Sequence, residues 1–281
     1  MATTAFQTQY RQEFIAGFEQ RQSLLRSTVT TESVIKGNTA TFLVADSGAA
    51  TAVTRGVDGL IPARADNLTQ TSATLVEWHD LVRKTQFNVF ASQGNQRAIM
   101  QQTSMGVVNR KVDKDILDIL LTGTVTTGSA ITASVALVMK AKTKLGNAGV
   151  PWDQNLNAVI SPAFEAYLMQ TKEFASREYV GSAPTDGADA AWRDKPVMYR
   201  WLGVNWIVHP NVAGVGTSSE SCFMYHKSAA GQAIDVANLQ SLVGYDEEQA
   251  YSWARTTGHF GCALLQNTGV VEMVHDGSAL A

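Results

Sequence analysis

Cysteine is scarce in this sequence: only Cys222 and Cys262 occur among 281 residues. The pair forms neither a CxxC motif nor a Cys/His ligand spacing, and two cysteines are too few for a disulfide scaffold. We therefore expect two buried free thiols in a reducing compartment.

Charge is also scarce, because Asp, Glu, Lys and Arg make up 17% of the chain, against about a quarter in typical soluble proteins. Much of the polar surface must then be Thr, Ser, Asn, Gln or backbone. Such surfaces suit extended contacts between subunits, since few charges need desolvation. The net charge of −3 argues against a dedicated nucleic-acid binder, which is normally basic.

The short motifs that mark many enzymes are missing. There is no GxGxxG after a strand, no P-loop, no HExxH and no GxSxG elbow. Ser161 follows a predicted strand, but Pro162 and the lack of flanking glycines favour a helix cap over a nucleophile. The histidines share no ligand spacing: His79, His209, His226, His259 and His275. We predict a protein that is not an enzyme, with no catalytic residue, cofactor or metal site.

Targeting and membrane signals are missing as well. Met1 to Arg11 lacks the basic-then-apolar pattern of a signal peptide. Ile119 to Met139 carries no charge, yet it contains nine Thr, Ser and Gly residues between Thr122 and Ser134, too many for a hydrocarbon environment. We interpret it as a loop between two helices and predict no membrane association.

An aromatic stripe opens the chain. Phe6, Tyr10, Phe14 and Phe18 recur at helical spacing, which predicts an amphipathic helix or helical arm over residues 6–26. Such an element must dock either on its own core or on a neighbouring subunit.

The next segment, residues 28–80, is β-prone at both ends and weakly hydrophobic between Gly48 and Asn67. It cannot build a core of its own, so it is either disordered or a long hairpin held by outside contacts. Apolar residues such as Val57 and Ile61 favour the hairpin. Its tip carries two charges of each sign that we predict to contact neighbouring subunits: Arg55, Asp58, Arg64 and Asp66.

Helices and strands then mix without regular βαβ alternation, which predicts an α+β fold. A long helix is predicted over Asn95 to Leu121, a second over Thr132 to Leu145, and a third from Pro162 to about Lys172. The predicted strands are Leu156 to Ile160, two stretches within Tyr199 to His209, Cys222 to Tyr225, and Ala263 to Val274.

Basic residues concentrate between Leu81 and Val112, where five stand without an acidic residue. A polyanion-facing surface and an ordinary solvated helix face explain this run equally well. We consider Arg97, Arg110 and Lys111 candidates for a surface that faces nucleic acid.

The order of these elements resembles the major capsid proteins of tailed bacteriophages, with the Hong Kong-97 type capsid fold. Five stretches in the second half of the chain resemble segments of this family. They are Asn157–Pro162, which leads into a helix, Leu202–Pro210, His226–Ala230, Gly261–Leu265 and Val270–Val274. Each stretch alone is weak evidence, and their order over nearly the whole chain carries the resemblance.

The resemblance implies five regions. Residues 1–30 correspond to an N-terminal arm, 31–86 to an extended E-loop hairpin, and 87–130 to a peripheral domain with a long spine helix. Residues 131–235 correspond mainly to an axial domain, and 236–281 return to the peripheral domain.

The implied function is self-assembly into an icosahedral shell around the double-stranded DNA genome of a tailed phage. The implied partners are identical subunits in hexamers and pentamers, a scaffolding protein, a portal, a decoration protein, and weakly bound DNA. The location would be the virion, after assembly in the bacterial host cytoplasm.

Two departures from the family pattern modify these expectations. No long charged helical prodomain precedes the arm, so a separate scaffolding protein is expected. Gly37 to Arg83 contains no lysine, which argues against the isopeptide crosslinks formed by some members. The alternatives are an encapsulin-like compartment shell of the same fold and an unrelated α+β enzyme.

Overall fold

A computed structural model describes residues 22–33, 37–47, 50–64, 67–85, 88, 96–175 and 198–280. Two sheets and one long helix organise this part of the chain. Most buried apolar side chains form one continuous core shared by the long helix and both sheets.

The first sheet has the strand order β1-β9-β10-β4. Its strands are β1 (Thr30–Glu32), β4 (Val76–Thr85), β9 (Ala230–Asp246) and β10 (Tyr251–Leu264). β1 runs parallel to β9, and the other neighbours are antiparallel. Along β10 the buried positions alternate with more exposed ones, as expected for a sheet with two different faces.

Helix α1 (Gln96–Leu120) packs on one face of this sheet. Its buried residues recur every fourth position from Met100 through Val108, Val112 and Ile116 to Leu120. That spacing forms a single stripe along the helix. The helix ends where the Gly123 amide donates to the Leu120 carbonyl.

A two-stranded hairpin, formed by β2 (Thr39–Asp46) and β3 (Asn67–Thr74), extends from the other face of the first sheet. Its strands pair from Thr39 with Thr74 to Asp46 with Asn67. It rests on a small cluster that we call the hairpin base, formed by Ala40, Ala73, Ala233 and Ala263.

The second sheet has the order β11-β8-β5-β7-β6. All five residues of β5 (Leu156–Ile160) are buried, and the strand pairs parallel with β7 (Val204–Val208). The remaining strands are β6 (Met198–Trp201), β8 (Glu220–His226) and β11 (Val270–His275); the helices beside them are α2 (Val135–Asn147), α3 (Pro162–Met169) and α4 (Lys172–Ala175).

The structure confirms the α+β class, the long helix, β5 and the cap at Ser161, whose Oγ accepts from the Phe164 amide at 3.1 Å. The predicted helix from Pro162 to about Lys172 ends at Met169, and Lys172–Ala175 forms a separate short helix. Three other element predictions are wrong in detail. The predicted arm helix does not reach residue 26, because residues 22–25 are irregular and Arg26–Thr28 is a 3-10 turn. The second helix begins at Val135, where the Ser134 side chain caps it.

The third error is the largest, because most of β9 and β10 was not predicted. The strand predicted across Ala263 to Val274 is in fact the end of β10, a 3-10 turn and β11. Glycines interrupt the apolar alternation in β9 and β10, and pairing with neighbouring strands compensates for their low strand propensity.

Candidate assembly surfaces

The hairpin tip, residues 50–64, places large apolar side chains in solvent. Val57 is fully exposed, and Val53, Leu60 and Ile61 are each more than 60% exposed. Clustered apolar side chains of this kind mark interaction surfaces in soluble proteins. The described part of the chain therefore leaves these apolar side chains of the hairpin tip uncovered.

The charged residues of the tip partly stabilise the hairpin itself. Arg55 donates from Nη1 to the Gly59 carbonyl, and Arg64 donates to the Ser47 carbonyl, both at 3.0 Å. Asp58 is exposed in the turn between them, and Asp66 lies outside the described residues. The two arginines fix the shape of the loop that carries the apolar groups, and their predicted contacts with neighbours stay a prediction.

The hairpin base fits closely against the first sheet. A Cβ added at Gly261 would stand 2.0 Å from the Thr74 carbonyl oxygen, and one at Gly231 would stand 3.0 Å from the Phe42 ring. The backbones of β10 and β3 can therefore approach closely only because position 261 has no side chain.

The beginning of the described chain is tied to helix α1 through Asp113. Its Oδ1 accepts from the Ser23 hydroxyl at 2.5 Å and from the Leu25 amide at 3.2 Å. Its Oδ2 accepts from the Leu24 amide at 3.0 Å and lies 3.3 Å from His209 Nε2. We call residues Ser23–Leu25 the arm root.

Burial acts to raise the pKa of Asp113, but the hydrogen bonds from His209, Ser23, Leu24 and Leu25 outweigh it. The pKa therefore lies below its ordinary value, and the carboxylate is held in its charged form.

The predicted arm residues, by contrast, lie outside the described part of the chain. These are Phe6, Tyr10, Phe14 and Phe18. Their proposed contacts stay predictions.

The basic residues of α1 are partly neutralised within the helix. Lys111 pairs with Asp115 at 2.5 Å and lies 3.8 Å above the centroid of the Trp78 ring. Arg110 and Lys111 line a groove of about 510 Å³ that also includes Asn211. Arg97 belongs to α1, and its side chain lies outside the description.

A buried polar cluster lies under the second sheet. Glu220 accepts hydrogen bonds from the Ser161 hydroxyl and from the Gly216 amide, and its Oε2 lies 3.9 Å from His275 Nε2. All three side chains are fully buried. Ser161 donates to a carboxylate and caps α3, so its contacts are those of a structural residue.

In the part of the chain described, no group of three or more His, Cys, Asp or Glu side chains is arranged to hold a metal ion. Among the described helices, none combines the length and apolarity required to cross a bilayer.

Comparison with known proteins identifies the family of this hairpin-and-helix architecture. The family model described as "Phage capsid protein" matches residues 2–276. The chain belongs to the phage capsid protein family. No curated protein matches this capsid protein.

Solved structures share the fold across the full length. A chain from Mycobacterium phage Che8 superposes with a TM-score of 0.72 at 19% identity, covering 99% of both chains. The capsid of Ralstonia phage GP4 gives 0.70 at 11% identity, covering 97% of this chain and 95% of that one. The capsid of cyanophage P-SCSP1u gives 0.69 at 12%, with coverages of 96% and 93%.

These similarities confirm the Hong Kong-97 type fold and the role of a structural major capsid protein that forms homo-oligomers and is located in the virion. They do not favour the encapsulin-like alternative.

Two of the residues that organise these surfaces were missed by the sequence analysis. Asp113 and Asp115 lie just beyond the basic run, which was counted only as far as Val112. The signal available for Asp115 was its position four residues after Lys111. Nothing local distinguishes Asp113, because its partners at the arm root lie about 90 residues away.

Proposed function

We propose that this capsid protein assembles through its E-loop and arm into hexamers and pentamers of an icosahedral shell. The shell encloses the double-stranded DNA of a tailed phage. The observation that carries the proposal is the hairpin tip, whose exposed apolar residues have no partner within the described chain. A neighbouring subunit would remove them from water and gain about 25 cal/mol per Å² of buried apolar area.

The regions keep the assignment drawn from the resemblance: arm 1–30, E-loop 31–86, peripheral domain with spine helix 87–130, mainly axial domain 131–235 and peripheral return 236–281. In this assignment α1 is the spine helix. The strand β4 lies within the E-loop region and forms an edge of the peripheral sheet through its pairing with β10.

The further partners are a separate scaffolding protein, a portal and a decoration protein, with assembly in the bacterial host cytoplasm. DNA contact through Arg97, Arg110 and Lys111 would be weak and salt-dependent. The Lys111–Asp115 pair supports weak binding, since it lowers the net positive charge of this surface. The protein acts as a structural component and not as an enzyme.

Shortening the hairpin tests this proposal. A variant that replaces residues 50–64 with a short Gly-Ser turn should fold, because the tip does not contribute to the main core, yet it should not form particles. Circular dichroism would report the folding of the body, and electron microscopy of scaffold-coexpressed protein would report assembly. Particles of normal yield and size would contradict the proposal.

A substitution in the arm gives a second test of the proposed assembly. Replacing Phe14 and Phe18 by Ala would remove two aromatics that contribute about 3–5 kcal/mol each when fully packed. We expect loss of particles with the body still folded. Nuclease-protected DNA in wild-type particles would distinguish a phage shell from an encapsulin-like compartment.

A further inference from the structure

We propose that Asp113 is the anchor that fixes where the arm leaves the body, and that it thereby positions the arm for its contact with a neighbouring subunit. The positioning role rests on the proposed function of the arm. The anchoring itself rests on the contacts of one fully buried carboxylate on the spine helix.

Among the described residues, four donors from two distant segments converge on this carboxylate. Three belong to the arm root: the Ser23 hydroxyl and the amides of Leu24 and Leu25. The Ser23 oxygen in turn accepts from the Arg26 amide at 3.2 Å. Successive amides of the chain therefore point at one helix position, and this fixes the course of the backbone at the arm root.

The fourth donor is His209, and its tautomer follows from its second contact. The Asn211 amide donates to His209 Nδ1 at 3.1 Å, so Nδ1 carries no hydrogen. In the neutral ring Nε2 then carries the proton and donates to Asp113. This contact joins the end of β7 to the same carboxylate, so that the spine helix, the second sheet and the arm root share one fixed point.

The chain from Leu25 onward also has contacts that do not involve Asp113. Leu25 and Val29 are buried in the main core, and the Thr28 hydroxyl is hydrogen-bonded to the Tyr225 hydroxyl. Loss of the carboxylate would therefore release Ser23 and Leu24 while the body stays folded. This separation makes the anchor testable.

The test is amide hydrogen exchange in the full-length unassembled protein, combined with particle yield. In Asp113→Asn, the Leu24 and Leu25 amides should exchange about tenfold faster, since hydrogen bonds to charged groups are stronger than neutral ones. Exchange at Ile116 in α1 should stay unchanged, and particle yield should fall. Ser23→Ala should show a smaller effect at the same amides, and it keeps the test usable if Asp113→Asn does not fold.

Asp118→Asn is the matched control, because Asp118 lies on the same helix, is exposed, and pairs with Lys114. Wild-type exchange at Leu24 and Leu25 in a folded Asp113→Asn or Ser23→Ala protein would overturn the anchor. Faster exchange with the particle yield of the control would overturn the positioning role. Failure of wild type and control to form particles would count against the proposed function, and the exchange rates would still decide the anchor.

Discussion

At the scale of single residues, the protein buries ionisable groups in two different ways. Asp113 is surrounded by donors that favour its charged form. For His275, burial lowers the pKa and outweighs the Ile131 carbonyl and the charges of Glu220 and Asp276, which raise it. The first arrangement stabilises a charge, whereas the second keeps a ring neutral inside the core.

This difference predicts how stability depends on pH through His275. The unfolded chain has a His pKa of about 6.5, and the folded pKa is lower. As pH falls below about 6.5, the unfolded state binds more protons, so the free energy of unfolding decreases. We expect urea denaturation between pH 7 and pH 5.5 to show this loss, with a smaller slope in His275→Gln.

His79→Gln provides the control, since His79 is exposed on the first sheet. A slope lowered equally in His79→Gln and His275→Gln would show that the effect is not specific to His275. Identical slopes in His275→Gln and wild type would show that another group titrates.

At the scale of elements, the hairpin depends on a close backbone contact at its base. A methyl group at position 261 would meet the Thr74 carbonyl oxygen at 2.0 Å, which is backbone and cannot rotate away. We predict that Gly261→Ala destabilises the protein by about 1–3 kcal/mol and lowers particle yield. Urea denaturation and sedimentation of assembly mixtures would measure the two effects.

Gly56→Ala is the control for this substitution. At position 56 the nearest atom to an added Cβ is the Leu60 carbonyl oxygen at 3.7 Å, an ordinary contact. If Gly261→Ala matched Gly56→Ala in stability, the close approach would have no structural role.

The charges of the hairpin tip lead to a separate prediction. Reversing Arg55 and Arg64 to Glu should leave the subunit folded and lower particle yield. An exposed ion pair between a tip arginine and a carboxylate of a neighbouring subunit contributes at most about 1 kcal/mol. Because the loss is repeated at every subunit, it raises the protein concentration needed for assembly. Sedimentation of particles across a concentration series would measure the shift.

Replacing both Arg55 and Arg64 by Lys distinguishes the effect of positive charge from the effect of the arginine hydrogen bonds. The variant Arg55→Lys/Arg64→Lys keeps both positive charges and loses the planar guanidinium groups that donate to the Gly59 and Ser47 carbonyls. Wild-type yield in the Glu variant would show that the tip charges do not contribute to assembly.

The elements also show how far the sequence allowed prediction. Helix α1 was predictable because its apolar residues repeat at helical spacing. Strand β5 was predictable because it is a short, nearly continuous apolar run. β9 and β10 were not, since glycines such as Gly244, Gly258 and Gly261 interrupt the apolar alternation, and only the neighbouring strands show that these positions are paired. The same reason applies to Asp113, whose buried site is created by a distant chain segment.

At the scale of the whole molecule, assembly should depend on noncovalent contacts alone. The segment from Gly37 to Arg83 has no lysine. Of the two cysteines expected to be buried, Cys222 is buried and Cys262 is half-buried, and burial raises the pKa of both thiols to about 12. We predict that boiled, reduced particles run as a single band near 30.3 kDa. A ladder of multimers under those conditions would contradict this.

The small hairpin base gives the hairpin of β2 and β3 the geometry of a lever. Each of its strands has eight residues, so the paired part reaches about 26 Å at roughly 3.3 Å per residue. A rotation of about 5° at the base would then move the far end by about 2 Å, more than the error that a well-packed contact tolerates. In the proposed assembly, four alanines and a glycine therefore set the angular accuracy with which the hairpin of one subunit meets the next. In a closed shell, where small angular errors accumulate around each ring, that accuracy decides whether the ring can close.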